Sequence, residues 1–244
     1  MSTTAIAGRV AGMTPRAKAR IAGICEFFEG LLSASGQVGI LGKLVVAGNA
    51  AATAANLLGH QQMFWFGFAI SVLGAVFHVA WGYLFYELFK PVNNSIARFA
   101  AFTVIVCAAM QAVTAILYAA PMIVLQHGGT SSAFSNAQLQ ELMMFFLKLN
   151  NYAFEVDLVF FGLWCVLSGY LIAKSRFMPR IIGILLMIDG LGWMTYIFPQ
   201  FANSIFPVIA VASGLAEVPL QFWLIIMGVN SKRWYEQAGV NVDK

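Results

Sequence analysis

Charge is scarce in this chain. Ten Asp and Glu and fourteen Lys and Arg make up only 10% of its 244 residues, against about a quarter in soluble domains. Hydrophobic side chains account for 60%, which places the chain with membrane proteins. The formal net charge is +4, but the basic residues are scattered among several connections. That spread excludes a nucleic-acid surface and reads as a topology signal instead. Cysteine is also sparse: Cys25, Cys107 and Cys165 are odd in number and form no CxxC pair. A disulfide framework and a cysteine zinc site are thereby excluded, and buried, inert thiols are expected. No phosphate-binding glycine loop, HExxH, EF-hand or GxSxG pattern occurs. No Lys lies deep in an apolar run, which argues against a retinal Schiff base.

Long apolar runs dominate what is present. A spanning helix needs about 20 mostly apolar residues, and six segments qualify: 20–42, 63–89, 97–125, 150–173, 180–201 and 206–229. The expected fold is all-α, an integral membrane bundle of six transmembrane helices. Residues 1–19 form a basic N-terminal segment, 20–230 the membrane domain and 231–244 a C-terminal tail. The first run is long and holds Glu26 and Glu29, so it reads as a retained span rather than a secretory signal. Placing both termini in the cytoplasm puts twelve of the fourteen Lys and Arg inside, from Arg9 to Lys244, and leaves only Lys43 and Lys148 outside. That is the bias of cytoplasmic loops. Residues 48–62 predict a short Ala-rich helix capped by Asn49. Residues 127–149 open as a Gly/Ser/Thr loop and turn amphipathic from Ser135, either lying on the interface or extending the fourth helix.

Six of the ten acids fall inside these runs: Glu26, Glu29, Glu155, Asp157, Asp189 and Glu217. A carboxylate at the bilayer centre costs about 2.5–3.5 kcal/mol on the lenient insertion scale. Such groups point to a polar interior. Thr103, Cys107, Gln111, Thr114 and Tyr118 recur at helical spacing, as do Glu26, Glu29, Ser33 and Gln37, and Ser213, Glu217 and Gln221. Lipid cannot satisfy these faces, so they turn inward. Counting helical rise puts Glu29, His78, Asp189 and Glu217 in one layer near mid-membrane, with Gln111 on the third span. This layer is the expected site for a small ligand, a proton or a cation. Glu26 reads as reaching toward the inner surface. Glu155 and Asp157 sit near the outer end of the fourth span and suit an outer gate.

Three functional readings follow. The leading one is a transporter-like or sensor-like protein, in which protonation of Glu217 or Asp189 couples to helix movement. The second is an oxidoreductase for a lipid-soluble substrate, with His78, Glu29, Asp189 and Glu217 holding a transition-metal ion such as iron, manganese or zinc. The third is an accessory subunit of a membrane complex or homo-oligomer. The lipid bilayer is the expected partner, with no nucleic acid. Spans 1–3 and 4–6 carry corresponding ionisable groups with opposite topology, the pattern of an inverted repeat.

Ala19-Arg20-Ile21-Ala22-Gly23, Ala50-Ala51-Ala52-Thr53-Ala54-Ala55-Asn56, Lys90-Pro91-Val92-Asn93, Phe160-Phe161-Gly162-Leu163, Pro179-Arg180-Ile181-Ile182-Gly183 and Gly228-Val229-Asn230 follow one another along the chain. In these strings it resembles a bacterial membrane family, domain of unknown function 4386. The resemblance implies a helical protein of the bacterial inner membrane and supplies no catalytic role. Of the buried acids, it assigns an acidic position to Glu217; His78, Asp189 and the Glu155/Asp157 pair look particular to this chain.

Overall fold

The computed structural model describes residues 12–127 and 134–240. Arg9, Lys244 and most of the expected Gly/Ser/Thr loop lie outside them. The described chain is helical, without strands. Helix α1 (Pro15–Ala34) runs into a π-helical stretch at Ser35–Leu41 and a last turn at Gly42–Leu44. It is followed by α2 (Ala50–Gly59), α3 (Gln61–Phe89), α4 (Asn94–His127) and α5 (Asn136–Lys174). Then come α6 (Arg180–Met194), the short α7 (Pro199–Ser204), α8 (Phe206–Phe222) and α9 (Ser231–Gln237). A second π-helical stretch, Trp223–Met227, closes α8.

Among the described residues, five helical stretches are long and apolar enough to cross a membrane: Gln61–Phe89, Asn94–Gln126, Asn136–Lys174, Arg180–Ile197 and Phe206–Met227. They carry exposed apolar side chains, among them Phe102, Ile105, Ile116, Ile188 and Val208. Asp189, in contrast, is 0% exposed. Apolar outside and acidic inside is the distribution a bilayer imposes. The expected first span is helical but does not join these five, because Glu26, Glu29 and Gln37 dilute its apolar residues.

The fourth expected span is longer than its apolar run. Helix α5 has 39 residues, about 58 Å against about 30 Å of hydrocarbon. The amphipathic stretch from Ser135 therefore extends the helix. The Ala-rich helix forms as expected: Asn49 accepts from the Ala52 amide at 2.9 Å. Thr53 ties the preceding turn by bonds to Val46 and Asn49.

The chain forms two compact units whose limits fall inside helices rather than between the halves of the expected repeat. The first comprises Met1–Phe27, His78–Val106 and Leu158–Lys244. In it α5 and α6 meet backbone to backbone. A Cβ at Gly162 would lie 2.6 Å from the Gly190 carbonyl oxygen, and one at Gly169 would lie 2.6 Å from that of Gly183. These paired glycines, seven residues apart on each helix, permit the small-residue packing used inside membranes. Aromatic rings fill the space beside them, with Trp81 against Trp164 and Phe85 against both. One end is tied by polar contacts. Glu87 receives Lys18 at 3.0 Å and Lys90 at 2.6 Å, and Trp234 of α9 donates to the Leu88 carbonyl at 2.8 Å.

The second unit comprises Phe28–Phe77 and Cys107–Asp157. Leu41, Leu44, Leu57, Phe64, Tyr118, Met122, Met143 and Leu147 form its core. Gly36, in the first π stretch, has no room for a Cβ because Ser71 and the Gly67 carbonyl of α3 press against it.

Candidate functional site

An open cavity belongs to the second unit. It measures about 720 Å3, is open to the outside, and lies between the first π stretch and the early half of α5. Gln37, Leu41, Lys148, Asn150, Asn151 and Phe154 are among its walls. Gln37 and Phe154 also line a smaller space of about 30 Å3 with Ser33, Ser71, Gln111, Thr114 and Tyr118. That volume admits a water-sized guest.

Polar groups continue from this space to a carboxylate. Gln37 donates to Asn150 Oδ1, and Asn150 Nδ2 donates to the Thr114 carbonyl at 2.8 Å. Tyr118 donates to the Gly36 carbonyl at 3.4 Å. Glu29 Oε1 accepts from Ser33 Oγ and from Gln111 Nε2, each at 3.2 Å. Glu29, Ser33 and Gln37 stand four residues apart, so one helical stripe supplies all three. The π stretch widens the helix where Gln37 meets both spaces, a distortion that often accompanies function. Chemically, this is a neutral amide and hydroxyl lining that ends at an acid.

Asp157 and Glu155 also belong to the second unit, and both are buried. Glu155 accepts from Asn151 at 2.9 Å, and Asp157 lies against the Cys107 thiol. The sequence places the pair near the outer end of a span, where interfacial water would solvate them. In the structure both lie in the middle of α5, which begins at Asn136 and extends past the apolar run, and both are held by side chains.

A second acidic group lies in the first unit. Glu217 Oε1 accepts from Ser213 Oγ at 2.7 Å and from Trp193 Nε1 at 3.3 Å. Asp189 lies against Glu217, Cys165 and Trp193, although neither of its oxygens makes a hydrogen bond of ordinary geometry. The neighbouring Gly190 permits the α5 approach that encloses it; Gly192 does not serve that purpose, its nearest neighbour being Ile209 at 3.6 Å. Glu26 is buried and acts on the same Cys165, so it does not reach toward a surface. His78 is buried with its ring 5.0 Å from that of Trp81.

Of the expected site residues, Glu29 and Gln111 therefore meet in the second unit, and Asp189 and Glu217 meet in the first. Among the described residues, no three His, Cys, Asp or Glu side chains are arranged to hold a metal ion. The expected quartet of His78, Glu29, Asp189 and Glu217 is thus not assembled as ligands, since helical rise fixes height but not facing. Sequence reasoning passed over Asn150, whose signal is an Asn-Asn pair inside an apolar helix. It also passed over Glu87, three residues before Lys90, and treated Lys18 only as a topology charge.

Residues 21–228 match the family model described as Domain of unknown function (DUF4386), so the chain belongs to that family. It is that DUF4386 family to which the resemblance above pointed. An uncharacterized protein of Archaeoglobus fulgidus is 35% identical over 75 residues, covering 30% of this chain and 45% of that protein. The match spans less than half of that relative. No solved structure matches the chain.

Proposed function

We propose that this protein is a six-span membrane protein, with α1 as the additional span, that binds a small polar or cationic ligand and relays protons. Its setting in this reading is the bacterial inner membrane, with both termini cytoplasmic, as the distribution of Lys and Arg favours. The observation that carries the reading is the open cavity of about 720 Å3 that adjoins, through Gln37, the polar space leading to Glu29. Amide and hydroxyl groups orient a ligand, and the Glu29 carboxylate attracts its positive or proton-donating end. Glu155 and Asp157 serve as the gate of this unit. Asp189 and Glu217 supply the second half of the reading. Two facing carboxyl groups can hold a proton between them, and its arrival or loss changes the repulsion between α6 and α8, which pack together.

The test is proton flux in proteoliposomes that carry an entrapped pH indicator and an imposed potassium diffusion potential. Wild-type protein is expected to move protons faster than empty liposomes. Glu29→Gln and Glu217→Gln each reduce the flux roughly tenfold or more, as loss of a titrating group requires. Equal flux from wild type and both variants, at equal reconstituted protein, would remove the proposal.

A further inference from the structure

The space of about 30 Å3 beside Glu29 has Ser33, Ser71, Thr114, Tyr118 and Gln37 among its walls, all within the second unit. The hydroxyl hydrogens of these walls are already committed. Ser33 donates to Glu29 Oε1 at 3.2 Å, Ser71 to the Gly67 carbonyl at 2.9 Å, Thr114 to the Met110 carbonyl at 2.9 Å and Tyr118 to the Gly36 carbonyl at 3.4 Å. Gln37 turns its amide nitrogen to Asn150. A hydroxyl has one hydrogen and two lone pairs, so each of these keeps acceptor capacity after donating, and Gln37 keeps its carbonyl oxygen. A guest must therefore bring positive charge or hydrogens of its own. An anion finds no hydroxyl hydrogen to hold it.

Close packing fixes the oxygens before any guest arrives. A Cβ on Gly36 would collide with Ser71 Oγ, and one on Gly67 with Tyr118 Oη; one on Gly74 would lie 2.6 Å from Ser33 Oγ. Glycine at these positions lets the helices seat the hydroxyls against backbone, which is the preorganisation a binding site needs. Size and charge narrow the guest further. The volume is that of about one water, so an ion entering it sheds most of its hydration shell and takes protein oxygens instead. No carboxylate lines the space, and Glu29, which accepts from both Ser33 and Gln111 of its walls, adds one negative charge beside it when ionised. That balances a monovalent ion, whereas calcium and magnesium take carboxylates into direct contact. Hydroxyl and amide oxygens without sulfur or imidazole suit a hard cation rather than a transition metal.

We propose that this space binds one sodium ion through the oxygens of Gln37, Ser71 and Thr114, with the Glu29 carboxylate balancing its charge. The sodium site rests on the reading above and names the cation of that reading; Gln37 and Phe154, which wall both spaces, mark its route from the open cavity. Binding of radioactive sodium to the purified protein in detergent is measured by scintillation proximity, with choline maintaining ionic strength. Wild type, S71A and T114V are compared with T103V, which removes a hydroxyl of the same helix that donates to the Ala100 carbonyl at 2.7 Å and lies outside this space. Saturable binding is expected in wild type, weakened roughly tenfold in S71A and in T114V and unchanged in T103V. Potassium, the larger ion, is expected to compete roughly tenfold less well than unlabelled sodium. Wild-type affinity in either S71A or T114V overturns the proposal, as does equal competition by potassium. If S71A fails to fold, T114V decides. The proton-flux assay on the same preparations separates the two readings. No sodium binding by wild-type protein that still moves protons overturns the sodium site alone; no binding and no flux removes the proton relay as well.

Discussion

Replacing Gly162 with Ala tests the packing that encloses Asp189. The new Cβ would stand 2.6 Å from the Gly190 carbonyl oxygen and 2.9 Å from both Met194 N and Met194 Cγ. Two of these three atoms are backbone, so rotating a side chain cannot relieve the overlap. Ordinary carbon contacts begin near 3.4 Å, so α5 and α6 must separate by the better part of an ångström. Overpacking of this kind costs about 1–3 kcal/mol, less the roughly 0.5–1 kcal/mol that Ala gains over Gly inside a helix. Gly214 in α8 provides the control, because nothing lies within 4 Å of its would-be Cβ. Gly214→Ala is expected to be neutral or stabilising, by up to about 1 kcal/mol. The assay is equilibrium unfolding of both variants in mixed micelles, followed by circular dichroism. Gly162→Ala as stable as Gly214→Ala would refute the close crossing of α5 and α6.

The remaining predictions concern buried polar ties. Glu87→Gln leaves the Lys18 ammonium buried without its carboxylate and is expected to destabilise by about 3–5 kcal/mol. The Lys18→Met/Glu87→Leu double variant should recover most of that loss in the same unfolding assay. If the double variant is no more stable than Glu87→Gln, buried charge is not the cause. Asn150→Leu removes the partner of Gln37 and of the Thr114 carbonyl. It should cost about 1–3 kcal/mol through the polar groups it strands; a melting temperature equal to that of wild type would show that these hydrogen bonds are not formed.

Element identity was legible in this sequence because apolar length and capping are local properties. Asn49 announces α2, and the runs at 63–89 and 97–125 lie within α3 and α4. Helix ends set by polar residues were less legible. The amphipathic residues before Asn150 carry no spanning signal, so the sequence left open whether they lie on the interface or extend the fourth helix; α5, starting at Asn136, takes the second course. The stripe of Glu29, Ser33 and Gln37 was visible from spacing and lines one polar path. Which stripes face one another depends on glycine crossings such as Gly162 with Gly190, and these are decided by tertiary packing. That is why Glu29 found Gln111 while Asp189 found Glu217. Lys18 shows the same limit, because a basic residue ahead of a span reads as solvated until Glu87 is placed beside it.

The central claim is that the open cavity of the second unit gives water and small cations access to the groups around Glu29. Cys25, Cys107 and Cys165 are all buried, so the native thiol background is low. The decisive measurement is the reaction rate of Ser33→Cys with the silver ion, a thiol-reactive cation small enough for the space that Ser33 lines, beside Ile116→Cys on the exposed apolar surface. Access through the cavity predicts that the cysteine at 33 reacts much faster than the one at 116, and that the rate falls in the additional presence of Glu29→Gln, which removes the attracting charge. A cysteine at 33 as inert as that at 116, in protein that retains its helical circular dichroism, would contradict the account.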